Sequence, residues 1–156
     1  MQASADSTDI KKLRVAIASD HAGFEQKTRL VAFLREQGLD VIDCGPEDDN
    51  RVDYPDFATK VAYAVVGGLA DRGILVCGTG IGMAIAANKI AGIRAANVIT
   101  PQMAALARQH NDANVVSVSG RFIDPDVNEQ IVTTFLSTDF EGGRHSLRVE
   151  KIDALD

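Results

Sequence analysis

Three groups of side chains in this sequence can move a proton or hold an anion: Cys77 ahead of a glycine-rich run, the histidines, and two arginines near the end. In VCGTGIGMAIAANK the glycines alternate at 78, 80 and 82 directly after an apolar stretch. Such a turn frees backbone N–H groups in front of a helix, so Gly78, Thr79, Gly80, Ile81 and Gly82 can cradle a phosphate or the oxyanion that develops on a carbonyl. Nucleotide binding is the competing use. Met83 stands where G-x-G-x-x-G needs its last glycine, no acid lies about 20 positions on, and no Gly-Lys-Ser/Thr follows, so the dinucleotide and P-loop patterns both fail. A glycine turn that is only structural remains the other reading.

Cys77 precedes this loop, and a neighbouring helix N-terminus favours a thiolate, which can serve as a base. The alternative is a small buried hydrophobe. Cys44 has neither glycine loop nor histidine beside it and is read as structural, and both cysteines are read as free thiols. No C-x-x-C or H-E-x-x-H spacing occurs, so no metal is expected. His21, His110 and His145 lie next to Asp20, Asn111 and Arg144. His110 can donate or accept a proton near pH 7, or merely cap the end of its helix. After Gly142-Gly143 the chain turns helical, placing Arg144 and Arg148 one turn apart on one face. Their guanidinium forks can hold a phosphate, or pair with Glu141, Glu150 or Asp153 on a solvated surface.

The elements that must position these residues alternate. Apolar runs at Leu13 to Ser19, Leu39 to Cys44, Arg72 to Cys77, Arg94 to Ile99 and Asn114 to Gly120 predict five mostly buried strands. Between them lie helical patterns, such as Phe24, Leu30, Val31 and Leu34 stopped by Gly38, and a helix opened by Pro101. Alternation of this kind predicts an α/β fold with a parallel sheet and helices on both faces. Ligands bind beyond the carboxyl ends of such strands, where strand order reverses. Asp20-His21, Cys77 with its loop, and Gly120-Arg121 all follow strands. His110-Asn111 ends a helix, so only tertiary folding or a second subunit can bring it to the same place.

Bulk properties narrow the function. The 156 residues fit one domain, expected over 13–156, with 1–12 as a disordered leader that lacks the apolar core of a secretory signal. With 46% hydrophobic and 24% charged residues and no apolar run of about 18, a soluble, cytoplasmic protein is expected rather than a membrane one. The net charge of −6 argues against nucleic acid and means that any anion site must be local.

Together SDHAGF, DYPDFA, CGTGIGMAIAANK, GIRAA, RQHNDAN, SGRF and EGGRHSLRVE resemble the type B ribose-5-phosphate isomerase family, from about Leu13 to the C-terminus. The resemblance implies a three-layer, Rossmann-like, doubly wound sheet of about five strands with a C-terminal helix docking on a partner subunit. It also implies a cofactor-free isomerase of ribose 5-phosphate and ribulose 5-phosphate, a homodimer or dimer of dimers whose sites are shared between chains. By the same resemblance, Cys77 is the base that moves a proton between C2 and C1, and Gly78 to Gly82 hold the enediolate. His110 opens the sugar ring, and Asp20, His21, Asn111, Arg121, Arg144 and Arg148 contact substrate. Some relatives carry a glutamate base a few residues later; no acid lies in this loop. A six-carbon sugar phosphate (allose or galactose 6-phosphate) is the alternative substrate, and a non-catalytic phosphosugar-binding or nucleotide-binding domain the alternative function.

Overall fold

The computed structural model of the protein describes residues 10–156. Residues 1–9 of the expected leader lie outside these. Ile10–Lys12, at the end of that expected leader, form a 3-10 turn closed by the Leu13 N–H on the Ile10 carbonyl, with Ile10 against the core.

Five strands form one parallel sheet: β1 (Arg14–Ser19), β2 (Asp40–Asp43), β3 (Arg72–Cys77), β4 (Ala95–Asn97) and β5 (Val115–Ser119), in the spatial order β2-β1-β3-β5-β4. Six helices complete it: α1 (Phe24–Glu36), α2 (Tyr54–Val66), α3 (Ile81–Ala87), α4 (Pro101–Asn111), α5 (Pro125–Ser137) and α6 (Arg144–Asp153). Because strand side chains alternate in direction, the central strands feed two cores. Val15, Ile17, Ile74, Val76, Val116 and Val118 meet α1, α4 and α5; Ala16, Ala18, Leu75, Cys77 and Val115 meet α2 and α3. This is the expected three-layer architecture. None of the described helices is long and apolar enough to cross a membrane.

The edge strand β4 is shorter than its apolar run suggests. Arg94 instead donates to the Asp112 carbonyl and pairs with Asp153, while Val98 continues only through one bond to Ser117. The C-terminal helix docks on its own chain: α6 packs against α4 and buries His145 and Val149. The Arg94–Asp153 pair at 2.9 Å and the Gly92 N–H donated to Asp156 Oδ2 at 2.8 Å hold its far end.

Strand order reverses between β1 and β3, since the chain leaves β1 towards β2 and then crosses to β3 on the other side. The carboxyl ends of these two strands flank a crevice there. Close backbone approach sets its floor. A Cβ at Gly23 would lie 2.4 Å from the Val76 carbonyl oxygen, so the entry to α1 can sit against the end of β3 only as glycine. Asp20 N–H donates to that same carbonyl at 3.1 Å. Lys27, 2% exposed, ties α1 to the segment after β2 by donating to Asp43 at 2.9 Å and to the Pro46 carbonyl at 2.7 Å.

Candidate active site

At that crevice lies a cavity of about 230 Å³ lined by Asp20, His21, Tyr54, Cys77, Gly78, Thr79, Gly82 and Arg121, together with Ala22. Cys77 ends β3, and β3's alternation turns its side chain towards the α2/α3 layer, where it is 4% exposed. Its Sγ accepts the N–H of Gly80 at 3.1 Å. Asp20 is also buried, and its Oδ1 accepts the N–H of Gly23 at 2.9 Å, which fixes the carboxylate at the end of β1. His21 is exposed; its Nδ1 accepts the Val52 N–H at 3.3 Å, tying the crevice to the segment between β2 and α2.

The glycine loop is shaped from below by side chains that carry no signature of their own. Ser119 Oγ donates to the Gly78 carbonyl at 2.7 Å and Ser117 Oγ to the Gly80 carbonyl at 2.6 Å. Asn97 Nδ2 donates to the Ser117 carbonyl at 3.2 Å and the Thr79 carbonyl at 3.4 Å. Gly80 has φ +81°, and a Cβ there would meet Asn97 Nδ2 at 2.4 Å, so the turn needs glycine twice over. At Gly82 a Cβ would strike the Tyr54 ring at 2.8 Å. The Arg121 guanidinium lies over Gly78, with Cζ 3.2 Å from where a Cβ would be. Two loop donors are engaged within the loop itself: Gly80 N–H on Cys77 Sγ, and Ile81 N–H on Thr79 Oγ1.

Gly80 and Ile81 support the loop without lining the cavity, and Ile81 faces outward, 52% exposed. Sequence reasoning missed Tyr54, Ser117, Ser119 and Asn97. The serines were legible in part, since VSVSG puts both on one face of a buried strand.

The second group of candidate residues is elsewhere. α4 starts near the carboxyl edge of the sheet and runs back, so His110 and Asn111 emerge at the amino edge. There Asn111 lines a separate hollow with Arg94, directly before β4, and Ala113, two residues before β5. A five-residue strand at roughly 3.3 Å per residue puts about 16 Å between the two edges. Within one chain, then, Cys77 and His110 do not share a cavity. His110 keeps different company: its ring stacks on His145, and α6 brings Arg144 and Arg148 to the same region. Both arginines are exposed, and neither is in an ion pair among the described residues. The predicted partner Asp153 pairs with Arg94 instead.

A larger hollow of about 610 Å³ beyond β2 contains Cys44, Phe57 and Lys60. Burial and then the charge of Asp43 push the Cys44 thiol up, which disfavours the thiolate a base would need. Size alone therefore does not mark the chemistry.

Sequence and fold also match a set of known proteins. The family model for ribose/galactose isomerases matches residues 15–152. The chain belongs to the ribose/galactose isomerase family. Ribose-5-phosphate isomerase B of Escherichia coli K12 is 48% identical over 143 residues, covering 92% of this chain and 96% of that protein. Among solved structures, ribose-5-phosphate isomerase B of Clostridium thermocellum superposes with a TM-score of 0.91 at 47% identity, covering 92% of this chain and 97% of that one. The Mycoplasma genitalium ribose-5-phosphate isomerase B with bound ribulose-5-phosphate gives 0.87 at 45% identity, covering 92% and 96%.

Proposed function

We propose that the protein interconverts ribose 5-phosphate and ribulose 5-phosphate, with Cys77 as the base that carries the proton. The observation that carries this reading is a buried thiol opening into a small polar cavity at the switch point, beside a carboxylate and a guanidinium. The named relatives act as support for the substrate. A proton α to a carbonyl leaves readily only when a positioned base removes it and donors meet the growing oxyanion. Cys77 Sγ takes the C2 proton of the open-chain aldose; the C–H pair becomes the C1=C2 double bond, and O1 takes up a proton. The O2–H proton then leaves, C2=O forms, and the pair in the double bond takes the proton back at C1. Electrons and protons balance within the substrate, so the step calls for neither metal nor nicotinamide.

The aldose arrives as a closed ring, and His110 is the residue we assign to opening it. Since His110 and Cys77 occupy opposite edges of the sheet, the complete site takes Cys77, Asp20, His21 and Arg121 from one protomer. It takes His110, Asn111, Arg144 and Arg148 from a partner, with the unpaired arginines holding the phosphate. A homodimer also accounts for the exposed Ile81, Ile85, Ile99, Met103, Leu106 and Leu147 on α3, α4, α6 and the segment before α4. The test is an isomerase assay of the purified protein on ribose, allose and galactose phosphates with no added cofactor. Turnover favouring ribose 5-phosphate is expected; turnover of six-carbon substrates alone would move the assignment to them, and none at all would leave a binding domain.

A further inference from the structure

His145 is buried beside the C-terminal end of α4. It is 5% exposed, and its ring lies against that of His110 with centroids 4.3 Å apart and planes 14° from parallel. Its Nε2 is buried without a hydrogen-bond partner, and the nearest acid, Glu141, stands 3.6 Å away. Burial, followed by the positive charges of His110 and Arg144, holds its pKa below the ordinary imidazole range, which favours the uncharged ring. A buried nitrogen with no partner is destabilising, and an aliphatic side chain would fill the space without that cost. What a leucine would not supply is a flat neutral face.

His110, Glu141 and His145 present donor atoms within 4.8 Å of one another, which raises the question of a cation. The stack answers it. Near-parallel rings direct their lone pairs along near-parallel lines, one ring thickness apart, so a single cation at the ordinary ~2.0–2.1 Å metal–nitrogen distance cannot lie in both ring planes. The geometry suits face-to-face support instead. His110 sits half-buried in the last turn of α4, and an aromatic face favours an imidazole that carries positive charge during acid–base work.

We propose that His145 is a positioning residue for His110: its buried, stacked ring is the plate that fixes the orientation of the ring-opening imidazole. This rests on the isomerase reading above. The two half-reactions separate the roles. An aldose 5-phosphate is a closed ring and needs opening before C2 can be deprotonated. A 2-ketose with its O5 phosphorylated cannot close a five-membered ring and is already open. Solvent exchange of its C1 proton therefore needs the Cys77 part of the site and no ring opening.

The experiment measures two rates on wild type, His145→Leu and His145→Phe: ribulose formation from ribose 5-phosphate, and deuterium incorporation at C1 of ribulose 5-phosphate. For His145→Leu, kcat/KM on the aldose should fall about ten- to a hundredfold, the loss expected when an acid–base group is misplaced. Its exchange rate should stay within about twofold of wild type, which also reports that the protein is folded. His145→Phe keeps the flat face and should recover most of the loss. A fall in both rates together, no change in either, or a His145→Phe variant no better than His145→Leu would overturn the proposal. Where His145→Leu does not fold, His145→Met is read against the same outcomes. A wild type that neither converts nor exchanges these sugar phosphates would instead sink the isomerase reading, and this inference with it.

Discussion

If each site draws its base from one protomer and its arginines from the other, two inactive variants should rescue one another. The perturbation uses Cys77→Ala in one chain and Arg144→Ala/Arg148→Ala in the other, unfolded together in equal amounts and refolded. The basis is the roughly 16 Å of sheet between the edge that holds Cys77 and the edge that holds His110 and α6. Random pairing makes about half the dimers mixed, and the two-fold axis gives each mixed dimer one wholly native site and one doubly damaged site. Half the dimers with one good site of two is about a quarter of wild-type activity. The assay is ketose formation at a substrate concentration below KM, where the arginine variant alone is slow, with the mixed dimer counted by native mass spectrometry. Recovery near zero with mixed dimers present would refute shared sites, because a site built within one chain is damaged in every protomer of the mixture.

Gly80→Ala should destabilise the fold by about 1–3 kcal/mol, since its φ of +81° and the 2.4 Å approach to Asn97 both exclude a Cβ, and urea titration measures this. Activity should fall further than stability, because the same strain displaces the N–H that meets Cys77. Arg148→Ala should mainly raise KM for phosphorylated substrate, with a smaller loss in kcat; an unchanged KM returns Arg148 to a solvated surface. Exhaustive chelation in the absence of NAD should leave turnover intact, and activity lost on chelation but restored by a metal ion would contradict the proton-transfer scheme. His145 gives a signed pH dependence. Its native pKa lies below the unfolded value near 6.5, so on acidification the unfolded chain binds a proton that the native one resists. Stability should therefore fall with pH from about 6.5 down to the depressed native value. Comparing urea midpoints at about pH 5 and about pH 7.5, the difference should be smaller in His145→Phe than in wild type.

The sheet and the cavity at Cys77 were legible because their signals are local. A buried strand reads as an apolar run, the glycine loop follows it directly, and the carboxyl end of every parallel strand delivers its next residues to the same edge. Asp20, Cys77 and Arg121 thus fall together from three separate stretches of chain. The residues that hold the loop were not legible. Ser117 and Ser119 look like tolerated polar positions in a strand until their hydroxyls are seen on the Gly80 and Gly78 carbonyls. Tyr54 looks like the first residue of a helix until its ring is found against Gly82.

The C-terminal helix shows how much of its placement lies beyond local reading, for a physical reason. Gly142-Gly143 suggests a helix free to dock elsewhere, and both glycines take a positive φ that reverses the chain before α6. Its position is decided by partners far along the chain: Asp153 on Arg94, Asp156 on Gly92, and His145 on His110. No periodicity encodes such pairs. Anchored this way, α6 holds Arg144 and Arg148 in fixed relation to His110, so under the proposed sharing of sites it would meet a partner as a rigid unit rather than a loose arm. That rigidity matters for the chemistry. In the proposed shared site, a phosphate clamp on a flexible tail would add binding alone, whereas one fixed to His110 would convert phosphate binding into orientation of the sugar over Cys77.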